Sequence, residues 1–553
     1  MTVFIGPNNS GKSMLLRELA GHVLGNPPQC RWVADVDVQN SGSADEFLAW
    51  LHERGSQPRV HPVTHEGVYP SGNPAQSPLS QGQVIASWNG RGFGGIGHYL
   101  VSHQDTMQRM HDQTNAQAWD ADIPPAHPTQ YLYESREAQT AFSQLVQEAF
   151  GAPIAINRYE QQIRLQVGAP GLPDEVPPIS PELRAAYRSL PVVGEQGDGF
   201  RSFVNLLLHT LVRPTPVIII DEPEAFLHPP QARLLGRFLA ERTPSPCQVF
   251  VATHSADFIS GVLEATAKPV ALIRISRAAG SPRGRVLEPE AVTEILRTPV
   301  LRYSNIISGL FHDGVVLCES EGDCQFYAST FDALKTSQTN GNLVFLHTNG
   351  KARLSDTARR LRQCGIPVAV IADLDLLNDR TLIRNTLDSL GGLWGEFEPD
   401  LLPLERQMRS TVTVASAQTI KQQIDGIIGN VPASAVLTSD QADRITSLLK
   451  GSNGWKALKR AGLPGLTGTD AYAPAQRMIT YLASRGVFVV PVGELEGWVP
   501  AVPSGNKSRW LTRVFEENHH NNPSEVLSAF CEKVLSYLVS VPMAEKEDAP
   551  AVE

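Results

Sequence analysis

Three groups of residues in this sequence have the types and spacing to do chemistry. The first is Gly6-Pro7-Asn8-Asn9-Ser10-Gly11-Lys12-Ser13, between the short apolar run Met1–Ile5 and a leucine-rich stretch. It has the GxxxxGK[ST] pattern, in which glycines let backbone N–H groups close around phosphate oxygens at a helix N-terminus. Gly6, Asn9 and Gly11 belong to that loop, Lys12 brings a point charge to β- and γ-phosphates, and Ser13 offers a hydroxyl to Mg²⁺. The second is Asp221-Glu222, at the end of Val217-Ile218-Ile219-Ile220. Here Asp221 would hold the Mg²⁺ shell and Glu222 would polarise an attacking water. The third is a set of acids: Glu319 and Asp323 after Val315-Val316-Leu317-Cys318, and Asp373 and Asp375 after Val368-Ala369-Val370-Ile371-Ala372. Hard carboxylate oxygens suit Mg²⁺ or Mn²⁺, and two such ions stabilise the attacking and leaving oxygens of phosphodiester cleavage.

Each group needs an element to deliver it. Unbroken β-branched runs ending in acids read as buried parallel strands with ligand sites at their carboxyl ends. Gln248–Ala252 reads as another such strand, placing His254 where it can hydrogen-bond a γ-phosphate. Gly194–Ser202 is a glycine-rich turn before an apolar helix. It reads either as an anion site using Gly199, Arg201 and Ser202 or as a plain helix cap. Residues 54–130 lack periodicity and are rich in Pro, Gly, His and Ser, which predicts an irregular insertion with hairpins. Its histidines lack metal-ligand spacing. A helix is expected over Tyr131–Phe150 with Ala141, Leu145 and Ala149 on one face, then a strand pair at Ile154–Ile156 and Ile163–Val167. Arg274–Arg285 reads as a basic linker, and Phe326-Tyr327 as the start of a helix. Residues 380–485 read as a helical insertion, Val487–Val492 as a closing strand, and Ala544–Glu553 as a disordered tail.

The 553 residues exceed one ordinary core. The expected division is 1–300 (insertion about 54–190) and 310–545 (insertion about 380–485). No apolar run is long enough to span a bilayer, and no secretory signal pattern is expected. Six cysteines without CxxC pairs argue against a zinc site or disulfide framework and for a reduced, cytoplasmic setting. The net charge of −10 does not favour nucleic acid as a partner, but a local basic groove suffices, and metal-binding acids add to the negative total. Lys351, Arg353, Arg359, Arg360 and Arg362 form one basic stretch beside the proposed metals.

Taken together, Gly6–Ser13, the Gly197–Ser202 turn, Asp221–Pro229 and Ala252–Ser255 resemble an ABC/SMC-type ATPase head. The Asp-Glu-Pro-Glu…Leu-His-Pro form is similar to that of the OLD (overcoming lysogenisation defect) family. The second half resembles the Toprim domain, with Ser320 where that family has Gly. The resemblance implies an α/β chain in which a P-loop head precedes a Rossmann-like Toprim sheet. It further implies ATP sandwiched between two heads of a homodimer or higher oligomer, and an ATP-regulated, metal-dependent DNA endonuclease or nickase. A role against phages or mobile elements, with a helicase or retron partner, also follows from the resemblance. OLD-type Toprim domains add an acid from the closing strand, for which Glu496 is favoured over Glu494, and a downstream lysine, for which Lys507 is preferred and Lys533 is the alternative. An SMC-like DNA-binding ATPase with a structural Toprim half is the main competing reading. A topoisomerase- or primase-like enzyme would need a tyrosine nucleophile that is not recognisable here, and a transporter motor would leave the Toprim half unexplained.

Overall fold

A computed structural model describes residues 1–24, 29, 32–60, 67–70, 77–90, 93–111, 114–120, 122–265, 269–278, 281–288, 292, 306–334, 342–410, 417–429, 431–432, 436–438, 441–442, 445, 454–503 and 507–540. Two compact units divide the chain, Met1–Thr293 and Glu294–Glu553. The terminal segment Ala544–Glu553 lies outside the described residues.

In the first unit, β1 (Thr2–Ile5) is buried from Val3 to Ile5. Strands β2 (Arg59–Val60), β3 (Gly67–Tyr69) and β4 (Leu79–Ser80) form a small antiparallel sheet. Next come β5 (Val101–Gln104) and β6 (Ala116–Gln117). An antiparallel pair follows, β7 (Ile154–Asn157) and β8 (Gln162–Val167), which β6 joins. The central elements are β9 (Val217–Asp221), β10 (Gln248–Ala252), β11 (Ala271–Ala278) and β12 (Ser281–Leu287). The main sheet runs β12-β11-β1-β10-β9-β5. All its pairs are parallel except β11 with β12. Ile218, Ile219 and Ile220 are wholly buried, each worth about 1.5–3 kcal/mol relative to exposure.

Three sequence expectations are corrected here. β5 is a strand of the main sheet, pairing Val101–Gln104 with Val217–Ile220, not part of an irregular insertion. Its half-polar sequence suits an edge strand, where one flank is unpaired. Arg274–Arg285 is not a linker but most of the β11–β12 hairpin, with Arg274 buried inside it. The expected helix over Tyr131–Phe150 is two helices, Pro128–Glu134 and Arg136–Phe150. Ser135 leaves helical geometry and its Oγ accepts from Ala138 N, capping the second helix. The face that second helix buries is Phe142, Val146 and Ala149.

The second unit is built on β13 (Gly314–Cys318), β14 (Leu343–His347), β15 (Val368–Ala372) and β16 (Val487–Val489), in the order β14-β13-β15-β16 and parallel throughout. Every residue of β13, β15 and β16 is buried. The helix after β13 starts at Glu321, earlier than Phe326. Helices Arg380–Ser389, Trp394–Ser410, Ala417–Ile428, Gly454–Ala461 and Tyr472–Ser484 lie between β15 and β16. No helix among the described residues is long and apolar enough to cross a membrane.

Candidate nucleotide and metal sites

The phosphate loop is shaped by backbone conformations that few residues adopt. Gly6 has φ 142°, and a Cβ there would stand 2.0 Å from Ile275 O. Asn9 and Gly11 are left-handed at φ 60° and 104°. Lys12 opens the Lys12–Val23 helix, and its Nζ donates to Gly6 O and Pro7 O at 2.8 and 2.9 Å. Burial depresses the Lys12 pKa, opposed by Glu222, Glu224 and Asp221. Ser13 Oγ donates to Asp221 Oδ1 at 3.0 Å, so the hydroxyl and carboxylate expected to share a cation already face each other. Burial raises the Asp221 pKa.

Glu222 follows β9 in a left-handed conformation, φ 48°, with its N–H on Ala252 O at 2.8 Å. A non-glycine residue there carries backbone strain that clusters at functional sites. Its carboxylate lies 3.5 Å from His254 Nδ1, and Glu224 lies 3.4 Å from the same nitrogen. The contact with Glu222 raises the His254 pKa, and the same contact lowers that of Glu222. Glu224 is buried and accepts from Thr253 Oγ1 and His254 N.

The sequence reading missed Arg109. Its side chain is wholly buried, and it donates to Gln104 O, Asp221 O and Glu222 O at 2.8, 2.9 and 2.7 Å and to Ser202 Oγ at 3.3 Å. It therefore ties the ends of β5 and β9 together. Ser202 is correspondingly buried, and its hydroxyl serves this clamp instead of an open anion site. Arg201 pairs with Asp198 at 2.6 Å. Gly199 admits a close approach, since a Cβ there would meet Phe226 O at 2.4 Å.

In the second unit, Glu319, Asp373 and Asp375 come together, each offering an oxygen within 4.8 Å of the others. Asp373 N donates to Glu319 Oε1 at 3.3 Å. Burial, then repulsion from Asp373, pushes the Glu319 pKa up to about 7. Buried like charges of hard-oxygen type fit a divalent cation.

Two lysines meet this group: Lys351, from the basic stretch that the sequence places beside the proposed metals, and Lys459, which sequence reasoning did not bring in. Lys351 is ion-paired with Asp375 and lies 3.8 Å from Glu319. Lys459, on the Gly454–Ala461 helix, lies 2.8 Å from Asp373, 3.1 Å from Asp375 and 3.9 Å from Glu494. Desolvation opposes the Lys459 charge, but Asp373 and Asp375 overcome it and raise its pKa. The approach is fixed at Gly493, φ 103°, where a Cβ would lie 1.9 Å from Lys459 O; Gly493 O also accepts from Leu374 N at 2.8 Å.

Asp323 stands beside this group instead of inside it. Its Oδ2 accepts from Ser320 N and Ser320 Oγ at 2.9 and 2.8 Å, and its Oδ1 accepts from Lys507 Nζ at 2.8 Å. Ser320 thus closes the turn through its own hydroxyl. Glu496 lies on the Leu495–Trp498 turn and is felt by Glu494 and Lys507, whereas Glu494 is the acid that meets Lys459. In the basic stretch, Arg359 pairs with Asp356 and Arg362 donates to Ser389 O.

Residues 182–260 match a family described as an AAA domain, putative AbiEii toxin, type IV TA system. Residues 310–375 match the Toprim domain of overcoming lysogenization defect protein-like proteins. The chain is 25% identical over 176 residues to the Old nuclease of Escherichia phage P2, covering 31% of this chain and 29% of that protein. It therefore spans less than a third of that relative. An SMC head bound to the C-winged helix domain of ScpA superposes with a TM-score of 0.31 at 12% identity, over 53% of this chain and 92% of that one. The SMC head domain from Thermotoga maritima gives 0.24 at 16%, over 52% and 90%. The α/β fold class follows from the two sheet orders and the two family matches. The chain joins an AAA-type ATPase domain to an OLD-like Toprim domain and so matches the OLD-family ATPase–Toprim fusion.

Proposed function

We propose that the protein is an ATP-regulated, divalent-metal-dependent DNA endonuclease or nickase. The observation that carries the reading is the convergence of Glu319, Asp373 and Asp375 at one sheet edge. A cation held by these carboxylates, Mg²⁺ or Mn²⁺, would supply Lewis-acid stabilisation of the oxygens of a phosphodiester. Around them, Lys351 and Lys459 bring positive charge for non-bridging phosphate oxygens, and Lys507, braced by Asp323, adds a third. Asp323 and Glu496 are the acids available for a second ion.

In the ATPase unit, the phosphate loop would hold ATP with Lys12 on the phosphates and with Ser13 and Asp221 on Mg²⁺. Glu222, kept anionic beside His254, accepts the proton of the attacking water. Gly199 belongs to the Gly197–Ser202 turn that would meet the partner's nucleotide, and two heads closing on nucleotide would make a homodimer or higher oligomer. A cytoplasmic role against phages or mobile elements, with a helicase or retron partner, belongs to the same proposal.

The competing reading, an SMC-like DNA-binding ATPase with a non-catalytic Toprim half, is favoured by one feature: Lys351 and Lys459 already neutralise the acids. Plasmid cleavage across a metal series, with and without ATP, separates the two. Metal-dependent nicking by wild type that Asp373→Asn abolishes supports the nuclease, and nicking that survives Asp373→Asn overturns it.

A further inference from the structure

β5 and β9 carry the nucleotide-site residues at their carboxyl ends. Near their opposite ends the same unit has a partly open polar cavity of about 200 Å³, lined by residues that include Arg54, Arg213, His98, Trp50, Tyr99 and Thr215. Ser102 of β5 also lines it, and Thr215 immediately precedes β9. A five-residue strand spans roughly 17 Å, so this cavity is separate from the phosphate loop.

Its charge is one-sided, because no carboxylate is among the lining residues. Arg54 follows the Ala44–Glu53 helix, stacks on Trp50 with its Cζ 4.7 Å from the ring, and donates to Arg213 O and Pro214 O at 2.9 and 3.1 Å. Arg213 Nη2 donates in turn to Glu53 O at 3.0 Å. Each guanidinium is thus held by backbone carbonyls beside the other arginine, and neither has an ion pair among the described residues. Burial, then the Arg54 charge, pushes the Arg213 pKa down to about 10, against Tyr131 and then Glu134, both outside the lining. Arg213 Nη1 is buried without a hydrogen-bond partner, while the His98 ring faces the Gly95 and Pro70 carbonyls.

Buried polar groups in folded proteins are nearly always satisfied, by a protein group, an ordered water or a bound ligand. Two rigid guanidinium forks with spare donors match the tetrahedral oxygens of a phosphate group. The volume is below the range of about 300–1,000 Å³ that encloses larger ligands. We infer that this cavity binds a phosphate or pyrophosphate group, free or as the terminal part of a nucleotide. The inference is independent of the nuclease reading.

The test uses the full chain carrying Lys12→Ala, which silences the phosphate loop. Phosphate, pyrophosphate and ADP are each titrated into it by calorimetry. Pyrophosphate binding is expected to persist, and to weaken about tenfold or more when Arg213→Gln is added. Because Arg213 also braces Glu53, Ser102→Asp provides a second variant: it places a carboxylate in the lining and leaves both arginine clamps intact, and it too is expected to abolish binding. ADP binding more tightly than pyrophosphate assigns the site to a nucleotide, and the reverse assigns it to the free anion. Absence of binding in Lys12→Ala, or equal binding with and without Ser102→Asp, overturns the proposal.

Discussion

Replacing Glu319 by Gln should stabilise the metal-free nuclease unit, increasingly as pH rises above about 4.5 and fully above about 7. The Glu319 carboxyl rises from 4.5 to about 7 through burial first and Asp373 second. At 1.36 kcal/mol per pH unit, ionising it in the folded chain costs about 3 kcal/mol more than in the unfolded chain. The sign follows from the raised value. Below its unfolded pKa the group is protonated in both states and costs nothing. As pH climbs from 4.5 through about 7 the penalty grows, and above that it is fully present. The side chain is 16% exposed, so solvent screening discounts this only modestly. Gln keeps the Oε1 that accepts from Asp373 N. For a unit of this size, about 3 kcal/mol raises the unfolding midpoint by roughly 6–12 °C. Calorimetry in chelator at about pH 8.5 should show that rise, and at about pH 4 almost none. Unchanged or lower stability for Glu319→Gln at the alkaline pH would refute the account of a repelled, buried carboxylate.

Lys459→Met removes the cation that lowers the pKa of Asp373 against its burial. The acid limb of a cleavage pH profile should therefore move to higher pH, with the plateau falling about tenfold or more; an unmoved limb counts against Lys459 acting on Asp373. Glu222→Gln should cut ATP hydrolysis by about 10²–10³ while nucleotide binding, followed with a fluorescent analogue, is retained. Arg109→Met strands four acceptors and should cost about 3 kcal/mol or more in chemical denaturation; a loss below about 1 kcal/mol would show the clamp to be dispensable.

Contiguous chemistry was the most legible part of this sequence. Gly6–Ser13 and Asp221-Glu222 declare themselves because loop, helix and acids follow one another directly. β9, β13 and β15 read as strands because unbroken apolar runs have few other uses. What escaped was assembled across distance. Lys459 reaches Asp375 from 84 positions away, on a helix whose sequence resembles any exposed basic helix. Arg109 reaches Asp221 from 112 positions away, and nothing local marks an arginine as buried. β5 was hidden by its half-polar edge sequence, and the β11–β12 hairpin by its arginines. Glu494 and Glu496 are two residues apart on a turn, where only backbone geometry decides which of them meets a given lysine.

The seam at Gly493 has a bearing on how this protein can be cut and recombined. A trimmed variant lacking the helical segment between β15 and β16 would keep every carboxylate of the acidic cluster yet discard one of its two counter-ions, along with the Lys459 backbone that packs against Gly493. Grafting that segment from a relative would likewise transplant a working charge along with a spacer, so chimaeras should be joined on the far side of residue 493.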